Sequence, residues 1–368
     1  MACFAACGVI LLTKGWHGSF TFDTDVGPQK FHEKETPRIG GTALFVAFWL
    51  AVVAAPSVTR ELMISLGLCG AVAFLVGSSE DLSKKTHPFV RLTATALAAL
   101  SFCLVTKSSI TRLALPVADQ FLVNPLLSVT FTVFAIAGLM NAINIIDGFH
   151  GLASGSVVLM TGAFGIVAAA VGDDQLLLFT VVIAAIMLGF LIFNFPFGYL
   201  FLGDGGAYIS GFWLACVAVM LPARNPEVSP WLSLLIVIYP VTETIYSIYR
   251  KTLRGGRSPL VPDGLHLHML VHGSFAKLMG EALGRPRLAN PITSVLLCCL
   301  CLPALLVAIL APNQHGWLVA GITLQILLYA AAYRGALACR SLQVTTPPAV
   351  EEPFISSAEA TRTPQSIG

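Results

Sequence analysis

Eleven apolar runs constrain the fold of this chain more than any other feature of its sequence. Most approach the roughly 20 residues that an α-helix needs to cross the hydrocarbon core of a bilayer. The chain is 56% hydrophobic and 11% charged, whereas about 25% of the residues in soluble domains are charged. We therefore predict an all-α integral membrane protein with about 11 transmembrane helices. The runs are residues 2–13, 41–55, 62–78, 92–106, 121–140, 152–171, 176–193, 206–221, 231–248, 292–310 and 317–333.

The first run is shorter than a full span. Either its helix continues through Phe20, or the coding sequence begins further upstream. A signal peptide is less favoured because no small-residue cleavage site follows the run.

The basic residues predict how the helices are oriented, because Lys and Arg accumulate in the cytoplasmic loops of membrane proteins. With the N-terminus outside, only Arg60, Lys107, Arg112 and Arg224 of the 21 basic residues lie on the outer side. Of the eight histidines, only His315 lies there. We therefore predict a periplasmic N-terminus, a cytoplasmic C-terminus and chemistry that faces the cytosol.

Composition also predicts the domain organisation and excludes some functions. Residues 1–340 are predicted to form one polytopic transmembrane domain with functional loops on the cytoplasmic side. Residues 341–368, rich in Pro, Thr, Ser and Glu, predict a disordered cytoplasmic tail. A net charge of only +2 argues against nucleic-acid binding. The nine cysteines fall mostly inside apolar runs, which disfavours a metal or disulfide role.

The sequence NAINIIDGFHGLASG, residues 141–155, is a polar interruption where two predicted helices meet. Asp-Gly is a common turn dipeptide, so a turn is one interpretation. A ligand site is the other, because non-helical polar backbone at membrane depth persists only when it is buried in protein or faces water. On a helix end, Asn141, Asn144 and Asp147 share one face, which favours the ligand site.

Acidic residues lie at the ends of two further predicted helices. Glu80 and Asp81 are adjacent, and they either form a solvated helix end or hold a hard divalent cation through oxygen ligands. Asp204 lies among glycines in GDGG, residues 203–206. It is either the N-cap of the next helix or a metal carboxylate beside a helix N-terminus that favours phosphate.

The first predicted cytoplasmic loop is basic. Its Lys30, His32 and Arg38 either contact anionic lipid head groups or bind a phosphorylated ligand. In the second case, Gly40 and Gly41 would allow close approach of the backbone to that ligand.

The last cytoplasmic loop contains His266 and His268, which alternate around Leu267 and would share one side of an extended backbone. A structural zinc site normally needs four ligands, and no cysteine is near, so phosphate binding by partly protonated histidine is favoured. Glu243 is an intramembrane acid and hence a functional candidate, although an ion pair with Arg250 explains it about as well.

Five motifs, in this order, resemble those of the polyprenyl-phosphate N-acetylhexosamine-1-phosphate transferase family (glycosyltransferase family 4). Each motif alone is weak, but five in order on one predicted face are specific. The resemblance covers roughly residues 30–272, and the loop after Asp81 is most similar to the branch that initiates surface polysaccharides. The motifs are PRIGG (37–41), Glu80-Asp81, NxxNxxDGxxGL (141–152), Asn194-Phe-Pro with GDGG (203–206), and PDGLHLH (262–268).

The resemblance implies roles for these residues. Asp204 and Asp81 would hold Mg²⁺, with Mn²⁺ as an alternative. The catalytic group would be Glu80, Asp81, Asp147 and Asp204. The substrate-binding group would be Lys30, His32, Arg38, Lys84, Asn141, Asn144, His150, Asn194, His266 and His268.

Several positions depart from the family pattern. Glu80 stands in place of an aspartate, and Glu243 stands where relatives tend to have one. His150 occupies a position where many relatives have aspartate or asparagine, and Met269 one where a further histidine is often found. The exact reach of Glu80 to a metal or phosphate is therefore an open point.

The implied protein is a Mg-dependent phosphoglycosyltransferase of the bacterial inner membrane. It would transfer N-acetylhexosamine 1-phosphate from a UDP-sugar to undecaprenyl phosphate, releasing UMP and initiating O-antigen-like polysaccharide or cell-wall glycan. Its partners would be these substrates, membrane lipids and, as an option, a second copy in a homodimer. The alternatives are a transporter or lipid flippase, whose polar sites tend to lie near the bilayer midplane, and a membrane scaffold.

Overall fold

In the computed structural model, which describes residues 1–23, 35–254 and 264–345, regular structure is helical, and one isolated bridge joins Phe22 to Pro37. The predicted all-α class is therefore confirmed for this part of the chain. The α-helices are α1 Ala2–Thr21, α2 Gly40–Ala54, α3 Ser57–Ser83, α4 Pro88–Thr106, α5 Pro116–Leu122, α6 Pro125–Ile146, α7 Leu152–Val171, α8 Asp174–Asn194, α9 Gly203–Arg224, α10 Pro230–Ile236, α11 Ile238–Tyr249, α12 Leu267–Val271, α13 Lys277–Ala282, α14 Ala289–Leu310 and α15 His315–Thr345.

Eight of the described helices are long and apolar enough to cross a membrane: α3, α4, α6, α7, α8, α9, α14 and α15. Helices α10 and α11 make a ninth if they count as one span, bent by 74°. All eleven predicted runs lie mostly on helices, but the run 121–140 crosses the break between α5 and α6, and the run 231–248 crosses the break between α10 and α11. Helix α1 is not among the eight, and α2 has only 15 residues. The count of eleven spans and the direction of the termini stay predictions.

The two ends of the chain refine the predicted boundaries. Helix α1 continues to Thr21, as one of the two interpretations of the short first run expected. Helix α15 continues to Thr345, so the predicted tail begins as helix. Residues 346–368 lie outside the described residues.

Helix α9 is the centre of the bundle. It packs against α2, α3, α4, α6, α7, α8 and α10, and its side chains are buried on all faces, including Phe212 and Trp213. A helix that is apolar all round can be stable only when it is surrounded in this way. The end of α9 that carries GDGG therefore lies among several other helix ends.

Glycines allow two helices to reach the beginning of α9. A Cβ at Gly41 of α2 would lie 2.3 Å from the backbone nitrogen of Gly206, and one at Gly77 of α3 would lie 2.6 Å from that of Gly205. The backbone amides of Gly40 and Gly41 also donate to the carbonyls that precede α9. The close approach predicted for Gly40 and Gly41 is therefore made to the protein itself.

Candidate active site

A cavity of about 580 Å³ lies at the end of the bundle where α9 begins and α6 ends. Residues before α2, at the start of α4, on α11 and around α12 complete its wall. Several of the predicted site residues line it. They are Arg38, Asn141, Asn144, Asp147, His150, Asn194, Asp204, His266 and His268.

Asp204 is the most heavily engaged carboxylate in this cavity. Its Oδ1 accepts hydrogen bonds from Arg38 Nη2 at 2.5 Å and Asn144 Nδ2 at 3.1 Å, and its Oδ2 accepts one from Arg91 Nη1 at 2.7 Å. The side chain is only 4% exposed. Charge-assisted hydrogen bonds of this kind are stronger than neutral ones. Two guanidinium groups therefore compensate one nearly buried carboxylate.

Asp81 holds the backbone at Asp204 in place. Its Oδ1 accepts from the backbone N–H of Asp204 at 2.8 Å, and its Oδ2 accepts from that of Gly205 at 2.9 Å. Arg38 Nε lies 3.2 Å from Asp81 Oδ1. Because α9 begins at Gly203 and its N-cap is Leu202, Asp204 is not the N-cap. Asp81, from another helix, satisfies the free N–H groups of that terminus.

The polar end of α6 also forms part of the cavity wall. Asn141 and Asn144 lie one turn apart on α6, and Asp147 follows its last residue. All three reach the cavity, as their shared face predicted. Asp147 is partly exposed there, and its burial among protein atoms raises the pKa of its carboxyl to about 7, with Asp204 adding to the rise and Arg38 opposing it.

These side chains fit a hard divalent cation in a limited way. Among the described residues, no group of three or more His, Cys, Asp or Glu side chains is arranged to hold a metal ion. Mg²⁺, however, is usually held through one or two carboxylates with water and substrate phosphates completing its shell. Asp204 would fit this pattern when Arg38 and Arg91 turn to the phosphates, because its two oxygens now accept from these side chains. Asp81 fits it less well, because both its oxygens already accept backbone N–H groups.

His266 and His268 also line the cavity. His266 is extended, but α12 begins at Leu267, so the prediction of one extended segment is wrong. The rings nevertheless share one side and stack, with centroids 5.3 Å apart and planes 2° apart. Burial lowers the pKa of His268 to about 4, with Glu243 opposing and His266 adding to the shift. His268 is therefore neutral near pH 7 and not partly protonated.

Two predicted substrate-binding residues are engaged in holding loops. Asn194 Oδ1 accepts the Gly151 N–H at 2.6 Å, and its Nδ2 donates to the Leu200 carbonyl at 2.9 Å. The His150 ring lies 5.7 Å from that of Phe201, and its Nδ1 lies 3.1 Å from the Pro196 carbonyl. Both line the cavity, but their hydrogen bonds stabilise the loops around it.

Glu80 and Lys84 do not line the cavity. Glu80 accepts the Thr86 N–H at 2.7 Å through Oε2 and so closes the loop between α3 and α4. Lys84 follows the last residue of α3 in the left-handed conformation. Lys30 and His32 lie outside the described residues.

Sequence reasoning missed several residues of the cavity, among them Arg91 and Tyr208. Arg91 was counted only as a cytoplasmic charge, but it reaches Asp204 from α4. Tyr208 lies one turn after Asp204 on α9 and also lines the cavity. The spacing of four residues on a helix could have identified Tyr208, whereas nothing local connects Arg91 with Asp204.

Fold and cavity together define the class: a multi-pass α-helical membrane protein with a cavity of carboxylates, arginines, asparagines and histidines at one end of its bundle. The profile of Glycosyl transferase family 4 matches residues 63–222, a segment that contains Asp81, Asp147 and Asp204.

Three relatives extend this match. The chain is 27% identical over 245 residues to the probable undecaprenyl-phosphate N-acetylglucosaminyl 1-phosphate transferase of Bacillus subtilis (strain 168), covering 65% of this chain and 66% of the relative. It is 28% identical over 271 residues to the decaprenyl-phosphate N-acetylglucosaminephosphotransferase of Mycolicibacterium smegmatis, covering 64% and 65%. It is 29% identical over 266 residues to the phospho-N-acetylmuramoyl-pentapeptide-transferase of Listeria innocua, covering 68% and 80%.

The alignments thus span slightly less than two thirds of the length of the Bacillus and Mycolicibacterium proteins. Profile and relatives both show similarity between this chain and the polyprenyl-phosphate hexosamine-1-phosphate transferases. The resemblance found in the five motifs is therefore confirmed.

Proposed function

We propose that this protein transfers an N-acetylhexosamine 1-phosphate from a UDP-sugar to a polyprenyl phosphate such as undecaprenyl phosphate. The observation that carries the proposal is the convergence of Arg38, Arg91 and Asn144 on Asp204 in the cavity. The names of the Bacillus and Mycolicibacterium relatives support this reaction class. Initiation of a surface polysaccharide or of a cell-wall glycan is the corresponding pathway role.

The reaction suits a site rich in charge and without a strong base. A phosphate oxygen of the lipid attacks the phosphorus that bears the sugar, and a new P–O bond forms. The bond from that phosphorus to the bridging oxygen breaks, and UMP leaves with the electron pair. Because the second pKa of a phosphate monoester is about 6, the nucleophile is already ionised near neutral pH. Positioning and charge stabilisation then supply most of the catalysis.

The arginines are suited to the diphosphate. Guanidinium groups match phosphate oxygens in a two-pronged geometry, and Arg38 and Arg91 lie beside Asp204 with 32% and 25% of their side chains exposed. Asp204 would hold Mg²⁺, which when bound neutralises charge on the diphosphate. Asp81 keeps Asp204 and Arg38 in place through its contacts with both.

The asparagines and histidines are suited to the remainder of the substrates. Asn144 and Asp147 on the α6 wall offer amide and carboxyl groups to the UDP-sugar. His268 is neutral, so it binds a phosphate oxygen or a sugar hydroxyl through an N–H and not through charge. The cavity lies at helix ends, and the distribution of basic residues supports a cytoplasmic position for it in the bacterial inner membrane.

The proposal is tested with purified protein in detergent. The protein is incubated with undecaprenyl phosphate and a panel of UDP-N-acetylhexosamines, with and without Mg²⁺, and UMP is measured. Release of UMP that requires the lipid, one of the donors and the cation is the expected result. A transporter or flippase would need a sealed compartment to show its activity, so turnover in detergent separates the two classes. No UMP from any donor would refute the transferase.

A further inference from the structure

Glu243 is a buried carboxylate that the proposed reaction does not use. Its side chain is 1% exposed, and it accepts four hydrogen bonds from three residues. His266 Nδ1 lies 2.9 Å from Oε1, the Leu267 N–H lies 3.2 Å from each oxygen, and Tyr329 Oη lies 3.1 Å from Oε2. A buried carboxylate is tolerated only when it is compensated in this way.

The last helix of the bundle joins this network. Tyr329 and Tyr333 lie one turn apart on α15. Tyr329 donates to Glu243, and Tyr333 donates to the backbone carbonyl of Leu265 at 3.1 Å. Helix α15 therefore fastens both the carboxylate and the segment that follows residue 264. None of these residues lies within the segment 63–222 that the family profile matches.

The network reaches the cavity through the histidine pair. The ring of His266 is held by Glu243 and stacks on that of His268. His268 is 1% exposed, lines the cavity and has a buried Nδ1 without a hydrogen-bond partner in the structure. Because an ionised carboxylate can only accept hydrogen bonds, its contact fixes a proton of His266 on Nδ1. The position of His268 then depends on the ring of His266 against which it is packed.

We propose that Glu243, held by Tyr329, is a positioning residue that orients His266 and, through the stacked rings, places His268 in the substrate cavity. Tyr333 assists by holding the backbone at Leu265. The inference rests on the proposed transferase function, and it assigns to α11 and α15 a role in that site. It accounts for a buried acid for which an ion pair with Arg250 was the alternative.

The first test is a double-mutant cycle on UMP release. Glu243→Gln leaves one acceptor oxygen for three donors, and we expect kcat/KM to fall about 10- to 100-fold, the range found for groups that orient metal-binding histidines. In a His266→Ala background the same substitution should have little further effect, because Glu243 acts through His266. Equal losses in both backgrounds would mean that Glu243 acts independently of His266, and the inference would be overturned while the transferase function stood.

The tyrosines provide a matched comparison. Tyr329→Phe removes one hydroxyl and its bond to Glu243, so it should lower kcat/KM in the same direction as Glu243→Gln. Tyr246 belongs to the same aromatic cluster, with its ring 5.8 Å from that of Tyr329, but its hydroxyl makes no hydrogen bond in the described part of the chain. Tyr246→Phe should therefore be close to wild type. Similar losses in the two variants would assign the effect to ring packing and overturn the inference.

A second measurement does not depend on activity. Diethyl pyrocarbonate modifies accessible imidazoles, and mass spectrometry gives the rate at each histidine. We expect His266 and His268 to react slowly in the wild type and several-fold faster in Glu243→Gln and Tyr329→Phe, with Tyr246→Phe unchanged. Equal rates in all four proteins would overturn the inference even if no donor sugar supported turnover.

Discussion

Around Asp204 the protein leaves charged side chains within reach of solvent, whereas around Glu243 it encloses the carboxylate almost completely. Arg38 and Arg91 keep 32% and 25% of their side chains exposed, but Glu243 and His268 are each 1% exposed. One carboxylate is compensated by partly exposed cationic side chains, the other by an imidazole, an amide and a phenol. The side of the site around Asp204, called the first wall below, can therefore exchange partners with an ionic ligand. The side formed by Glu243, His266 and His268, called the second wall below, can only keep its shape.

The largest effect is expected at the first wall. Asp204→Asn keeps the size of the side chain but removes its charge, so it leaves Arg38 and Arg91 without a counter-charge and weakens any divalent cation site. UMP release by the purified protein should fall about 10³-fold, in the range found for lost transition-state stabilisation. Near-normal turnover at saturating Mg²⁺ would remove Asp204 from the metal role.

Arg91 distinguishes charge from geometry at the same wall. Arg91→Met should lower kcat/KM about 10²-fold, because one of two cations at the diphosphate is lost. Arg91→Lys keeps the charge but not the two-pronged geometry, and it should restore only part of the activity. Full activity in Arg91→Lys would show that charge alone suffices, and full activity in Arg91→Met would exclude the residue from the site.

The close packing of α2 against the start of α9 should make the stability of the protein sensitive to added side-chain volume. Gly41→Ala would force a methyl group against the backbone of Gly206, and overpacking of this kind costs about 1–3 kcal/mol. The melting temperature in detergent should fall, and the activity with it. Gly162→Ala on α7 is the matched control, because a Cβ there meets nothing within 4 Å. A melting temperature that is the same in both variants would contradict the close packing of α2 against α9.

The buried His268 of the second wall should make the stability of the protein depend on pH. Burial lowers the pKa of His268 to about 4, below the value of about 6.5 of a free histidine. Between these values the unfolded chain binds the extra proton, so stability is highest above about pH 6.5 and falls as the pH drops toward 4, by up to about 1.4 kcal/mol per pH unit. Melting temperatures should show a shallower decline in His268→Gln. An unchanged slope would contradict the burial of a neutral imidazole.

The helices and the acidic positions could be predicted because their signals are local. An apolar run of suitable length predicts a helix wherever it lies in the chain, and all eleven runs lie mostly on helices. The shared face of Asn144 and Asp147 follows from helical spacing alone. The interpretation of Asp204 could not be settled in the same way, since both an N-cap and a metal ligand suit an aspartate beside glycines.

Contacts between residues that are far apart in the chain could not be predicted from local sequence patterns. Arg91 and Asp204 are 113 residues apart, and Asp81 reaches the N–H of Asp204 across 123 residues. Both contacts depend on how closely α3 and α4 approach α9. For α3 that approach is allowed by Gly77, whose role becomes visible only when the facing backbone is known.

The amino-acid sequence by itself determined the membrane class, the helices and nine of the residues that line the cavity, because hydrophobicity and spacing act over a few turns. Only the tertiary structure decided which partner each of them has. Asp81 caps α9, two arginines compensate Asp204, and Glu243 faces His266 and not Arg250. The physical reason is that a buried charge must find its counterpart wherever packing brings one within hydrogen-bond distance, and packing joins parts of the chain that no local pattern connects.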